Sequence, residues 1–478
     1  MSAKLLHGSR RAAIGLSALA LASTGLLAPA SASPEDAAAP VRQLLVGGMG
    51  SGNIASLNAD RRGTLSPVPG SPFAVKEGTG FSIAVSHDGK TVYSGSQKGG
   101  ITGHEIRSDG TLSQRPGATV DTAGVAVIGL TVSPDGKRLF ATLTGDNEGE
   151  VRSYAIGPSG DLAPTGAPAV KVPTATLSLP VISPDGRYLY VSSAFSNTIF
   201  PFAIASDASL TPVGEPVETG AVAALPAITP DGRFLYVSNE QDKSQSGFRI
   251  EEDGSLTPLP GSPYPTGGLP HGAAITADSK RLYIPQAADG TVTGFAIEDS
   301  GALTPLPGSP YPARKDGMPG LTVLSPDGKR LFIVEVASFG LTARAYTYVV
   351  QDDGSLTPTG QPLVDTKTLF ADGPTAVITP NQGPTAAVRV VGSEGATTTF
   401  SAAGSTDSDG SIARYDWDFG DGTTETTTTP EVTHTFSGPT TGPVTVTVTD
   451  DENCSTELVY TGRVATCTGG PQATAAVQ

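Results

Sequence analysis

The strongest constraint on this chain is a short motif that returns along its length. Ser-Pro-Asp-Gly or a variant of it starts at Ser86, Ser133, Ser183, Thr229, Thr276 and Ser325, with a degenerate copy at Thr379. A second motif, Leu-Thr-Pro or a variant, alternates with it from Leu65, Leu112, Leu162, Leu210, Leu256, Leu303 and Leu356. The interval is about 48 residues, enough for four short antiparallel strands and their turns and too long for a solenoid rung. Proline presets φ and Asp-Gly tolerates the reversal, so the first motif reads as a turn. It joins a small-residue apolar strand, such as residues 177–182, to an aromatic-bearing strand, such as residues 233–238. An alternating strand such as residues 291–297 follows, and the Leu-Thr-Pro segment is the fourth. The strand after the turn occurs seven times only if residues 43–46 are counted, which puts them in one blade with residues 375–378. The prediction is an all-β fold: a seven-bladed propeller over residues 41–380, its ring closed by the first and last strands.

Composition points the same way. The 478 residues include 59 Gly and 40 Pro, which would break helices throughout, while 38% hydrophobic residues suffice for a core. A net charge of −16 without basic blocks excludes nucleic acid and anionic membrane surfaces as partners. Residues 1–32 read as a signal peptide: Lys4, Arg10 and Arg11 precede an apolar run over 12–27, and Ala30-Ser31-Ala32 offers a cleavage site. The other reading is an uncleaved anchor; Ser9-Arg10-Arg11 does not select an export route. Residues 33–40 read as a linker. The mature protein is expected to be secreted, monomeric and free of a membrane span. In an exported chain the two cysteines, Cys454 and Cys467, are expected to form a disulfide; half of a metal site, the alternative, lacks further Cys and a nearby His pair.

Beyond residue 380 the texture changes to Thr and Val. Asp416-Trp-Asp-Phe-Gly-Asp-Gly422, His434-Thr-Phe436 and Val444-Thr-Val-Thr-Val448 stand in this part. It resembles a PKD domain, which implies an immunoglobulin-like β-sandwich over residues 381–468 with Trp417 in its core. Residues 469–478 read as a flexible tail. Asp407, Asp409, Asp416, Asp418 and Asp421 crowd together, and such hard oxygens suit calcium, with Asp407 and Asp409 as candidate ligands. The alternative is that these aspartates serve turns. No other cofactor is expected.

On a propeller, the loops entering the innermost strands and those joining second to third strands share one face around the axial mouth, where ligand sites gather. The Ser-Pro-Asp-Gly turns occupy the opposite face and read as structural. Glu240 and His271, from adjacent blades, are the candidate acid–base pair; the other reading of His271 is a side chain packed on the channel lining or held in a turn. Asn239, Arg314 and Lys315 are candidate ligand contacts. The propeller resembles the seven-bladed lactonase family, which includes bacterial 6-phosphogluconolactonase and whose repeats recur in non-enzymatic surface propellers. Tyr236-Val-Ser-Asn239-Glu240 keeps the family's Asn-Glu, but its Arg and His positions hold Ala224 and Leu225. The cation that would polarise a lactone carbonyl is missing there, unless Arg314 or Lys315 replaces it. No GxSxG, HExxH or P-loop pattern is present. Two functions are therefore expected. The first is an exported, non-catalytic binding protein whose loop face meets an extracellular protein or polysaccharide, with the PKD-like domain as spacer or contact. The second is an extracellular lactonase-like hydrolase acting at the mouth. A deep polar funnel would mark the enzyme, and a shallow mouth closed by uncharged inner strands would mark the scaffold.

Overall fold

The computed structural model describes residues 42–477 apart from 77, 314–316, 337–341, 372, 374, 439–440, 456–457, 462–464 and 468–470. The expected signal peptide and linker, and the candidates Arg314 and Lys315, lie outside the described residues. The described chain is all-β, with antiparallel sheets and no α-helix.

Seven sheets form the propeller. Blades 1 to 6 begin at Ile83–Val85, Val127–Val132, Pro180–Ile182, Ala223–Ile228, Ala274–Ile275 and Pro319–Leu324. Blade 7 combines the chain's two ends: Ala376–Ile378 is its innermost strand, and Arg42–Gly48, Asn53–Ala59 and Leu65–Pro67 complete it. Leu44, Leu45 and Val46 pair with Ile378, Val377 and Ala376, which closes the ring as the repeats predict.

The blade edges differ from expectation. Six blades have five strands rather than four, because the outer strand is broken in two. In blade 4, Leu256–Pro258 pairs with one end of Ser244–Ile250 and Tyr264–Pro265 with the other. The intervening Pro260-Gly-Ser-Pro263 cannot supply a continuous row of donors, so the ladder is interrupted there. Blade 1 keeps a single edge strand, Leu112–Val120, with a register shift against its neighbour.

The recurring turns close on themselves. Ser183 Oγ donates to Asp185 Oδ1 at 2.5 Å, and the same carboxylate accepts the Arg187 N–H at 3.0 Å. Ser86, Ser133, Thr229, Thr276 and Ser325 repeat this bond to the aspartate two residues on. The aspartates are spent on turn geometry. Phenols stitch four of the seven blades to the next: Tyr93, Tyr190, Tyr236 and Tyr283 donate to the carbonyls of Gly160, Gly254, Gly301 and Gly354 at 2.8, 3.0, 2.7 and 2.8 Å. All four rings are fully buried, and that burial pushes their pKa values up.

The C-terminal domain is a sandwich of a three-stranded and a four-stranded sheet around Trp417, Phe400, Phe419 and Val446. The expected loose tail is a correction: Thr474–Val477 pairs with Val444–Asp450 as an edge strand, with Ala473 buried before it. Its alternating Thr-Ala-Ala-Val residues are enough to complete the sheet. Cys454 and Cys467 form the disulfide. Between them, Leu458–Tyr460 and Ala465–Cys467 make a hairpin that joins neither sandwich sheet. It lies against the propeller instead. Tyr460 is fully buried, its hydroxyl donates to the Val85 carbonyl, and its ring sits 5.3 Å from that of His87. Tyr460 and Ala465 share one apolar cluster with Ala84, Tyr93 and Leu130.

A polar junction fastens the two domains. Arg42, at the start of the closing blade, is buried and ion-paired with Asp409 and Glu452. It also donates to Asn381 Oδ1 at 2.7 Å and the Pro380 carbonyl at 3.1 Å. Asn381 in turn donates to Asp450 Oδ2 at 2.9 Å, and Arg61 pairs with Asp451 at 2.5 Å. Burial pushes the Asp450 carboxyl up to about 6.

Candidate functional site

The mouth is built where second strands end. Phe234–Asn239 and Arg281–Gln286 each finish beside the loop that enters the innermost strand of their own blade. Glu240 N–H donates to the Val222 carbonyl at 3.1 Å, and His271 N–H to the Pro285 carbonyl at 3.1 Å. These bonds bring the two predicted residues together: His271 Nδ1 lies 2.7 Å from Glu240 Oε1. Their side chains are 14% and 19% exposed, and His271 Nε2 is itself buried. The pair links blades 4 and 5 and turns both ring nitrogens toward protein.

Asn239 has a different role from the one its neighbour suggests. It is fully buried, accepts the Gly220 N–H at 3.1 Å, and donates to Ser244 Oγ and Ser246 Oγ at 2.9 Å each. Its polar atoms hold the loop and the third strand. One blade on, Asp289 accepts the Gly268 N–H at 2.6 Å, as Asp242 accepts that of Ala221. In blade 6 the equivalent strand ends in Glu335, buried and paired with Arg344, one bond of which spans 3.1 Å. Sequence reasoning missed this pair; its signal was the position it shares with Asn239 and Gln286.

Leu225 lies within Ala223–Ile228, the innermost strand of blade 4. It is 2% exposed, with φ of +45°, and belongs to one apolar cluster with Leu179, Leu321 and Ala371. Those residues come from blades 3, 4, 6 and 7, and blades 3 and 4 do not adjoin 6 and 7 in the ring. Gly272 leaves room for Leu225, since a Cβ there would stand 2.9 Å from its Cδ1. Below lies an axial cavity lined by Leu130, Val181, Pro226, Val323 and Val377, with no charged side chain on its wall. Thr461 and Thr466 of the C-terminal hairpin line it too.

A second feature of the mouth had gone unread. The carbonyls of Val222, Leu269, Met318 and Phe370 accept the same backbone bond in four successive blades, from Glu240, Ala287, Val336 and Met49. Leu269, Met318 and Phe370 are 41%, 38% and 37% exposed. They stand at equivalent places in the backbone pattern of three successive blades.

In the second domain, Asp409 is taken by Arg42 and by the Gln382 N–H at 3.1 Å, and Asp407 Oδ1 accepts the Asp409 N–H at 3.3 Å. Asp418 caps the Gly420 N–H at 2.9 Å, and Asp421 pairs with His434 at 2.8 Å. Among the described residues no three His, Cys, Asp or Glu side chains converge in a metal-holding group.

Two family models match the sequence. Residues 178–259 and 216–316 match the seven-bladed lactonase propeller, and residues 381–464 match the PKD domain. The chain carries a lactonase-type propeller followed by a PKD domain. No curated protein matches it. Among solved structures, the periplasmic gluconolactonase of Pseudomonas aeruginosa is 18% identical, with TM-score 0.55 over 71% of this chain and 99% of that one. A Bacteroides fragilis protein with a provisional 6-phosphogluconolactonase assignment is 20% identical, with TM-score 0.56 over 73% and 99%. A functionally unknown protein of Desulfotomaculum acetoxidans is 17% identical, with TM-score 0.54 over 70% and 98%. At such identities the likeness carries the fold alone.

Proposed function

We propose that this protein is an exported binding protein without hydrolytic chemistry, whose mouth loops form a platform for an extracellular protein or polysaccharide. One observation carries the reading: the axial cavity is walled by apolar residues, and no charged side chain lines it. Leu269, Met318 and Phe370 add exposed apolar side chains on the mouth loops. Export is supported by the leader-like residues 1–32 and by the Cys454–Cys467 disulfide.

The 2.7 Å contact between Glu240 and His271 favours a second reading, a lactone hydrolase in which the carboxylate orients the imidazole as base for a water. That chemistry needs Nε2 to reach a substrate, and Nε2 is buried. The two readings separate in one assay. Purified protein is offered a panel of aldonolactones and alkyl lactones, and acid release is followed in a pH-stat. The expected rate is the uncatalysed background. Turnover above background that His271→Ala or Glu240→Ala abolishes would reject the binding reading.

A further inference from the structure

We propose that Arg389–Glu394, the first strand of the C-terminal sandwich, is a pairing edge that joins two copies of this chain into a two-fold dimer. It lies at the margin of the three-stranded sheet, bonded on one side to Thr397–Ser401. All six residues are exposed, Val390 by 43% and Val391 by 47%. The outward N–H and C=O groups of such an edge are a template for another strand. Edges elsewhere are blunted. In the propeller the short outer strands end on proline, as in Leu256–Pro258 and Leu303–Pro305, and Pro116 interrupts Leu112–Val120. In the other sandwich sheet, the edges Thr424–Thr427 and Thr474–Val477 are only four residues long. Arg389–Glu394 has neither a proline nor a cover.

Charge and register identify the occupant as a second copy. The strand reads Arg389-Val-Val-Gly-Ser-Glu394, with opposite charges at its two ends. Set antiparallel against itself, it places Arg389 opposite Glu394 twice, with Val390 facing Ser393 and Val391 facing Gly392. A continued sheet requires facing residues to lie on one face, and in a regular strand residues five apart do not. Here the register against the inner strand shifts between Val390 and Gly392, leaving Val391 without a partner of its own. Arg389 consequently stands opposite Ser401 and Glu394 opposite Thr397, positions on the same face of that inner strand. The bulge therefore aligns the two charges for a symmetric pairing. At its centre, a Cβ built on Gly392 would meet nothing within 4 Å, which leaves room for Val391 of the second copy.

A six-residue ladder is small for an interface, so dimerisation is expected at about 10–100 µM. Sedimentation velocity on the purified protein should show the mass doubling over that range. Arg389→Glu and Glu394→Arg each set like charges opposite one another at both ends of the ladder. Each should weaken the dimer about 10-fold or more. Mixing the two variants should restore association, because each supplies the charge the other lacks, and so should exchanging both residues in one chain. Both positions are exposed, so unchanged thermal melting of each variant separates lost pairing from lost folding. The mass of one chain at every concentration, the state expected from the sequence, would overturn the proposal. So would a dimer that neither variant weakens, because it would use another surface. A mixture that stays monomeric would overturn the antiparallel register and the proposal with it.

Discussion

Asp407 holds its carboxyl where the neutral form is preferred. Burial is the main cause, with the charges of Asp409 and Asp450 adding to it, and together they push its pKa up to about 7. A carboxyl whose folded value lies above its unfolded value binds its proton more tightly in the folded chain. Its contribution to stability is therefore full below about pH 4 and is lost as pH rises toward about 7. Asp407→Asn should melt with the native protein near pH 4 and above it at pH 8, by about 2 °C in scanning calorimetry. Equal melting at both pH values would show that Asp407 is ionised in the fold. At this scale the sequence revealed identities more readily than roles. That Leu225 stands where the resembling family has a polar residue was legible; that it is buried with a positive φ was not, because no local pattern marks it. Asn239 shared Glu240's motif, yet its bonds serve Gly220, Ser244 and Ser246.

Strands and turns were the most legible level, because proline and Asp-Gly act locally. Each Ser-Pro-Asp-Gly turn is closed by its own serine or threonine, and so it announces itself within a few residues. The inter-blade phenols could not be read this way: Tyr236 finds Gly301 at a separation of 65 residues. Tyr236→Phe keeps the ring and leaves the Gly301 carbonyl without that donor, so it should cost about 1 kcal/mol in urea unfolding, with an unchanged slope. No loss would mean that water replaces the phenol. The split outer strands escaped for the opposite reason. Residues 260–263 are rich in proline and glycine, but the pairing of Tyr264–Pro265 beyond them depends on where Ser244 begins the third strand.

The whole molecule is held together at a place that no motif marked. Arg42 is a lone basic residue before an apolar strand, and its partners Asp409 and Glu452 belong to the other domain. Arg42→Ala leaves buried carboxylates without a counter-charge, which should cost about 3–5 kcal/mol. Thermal melting should show the loss, and hydrogen exchange should quicken first in Arg42–Gly48 and Ala376–Ile378. If only the sandwich loosened, Arg42 would be a domain contact with no part in ring closure. The PKD domain thus bears on the propeller it follows: it grips the strand with which the ring is completed.

That completion has a consequence for how the chain is made. Leu44, Leu45 and Val46 leave the ribosome long before Ala376–Ile378 exists to cover their edge, and Arg42 meets the Pro380 carbonyl only 338 residues later. Until then the nascent protein carries three apolar residues on an open strand. A product cut short ahead of residue 376 keeps that edge for good, and such edges recruit one another. Synthesis of Ala376–Ile378 is what turns a self-adhesive intermediate into a closed ring.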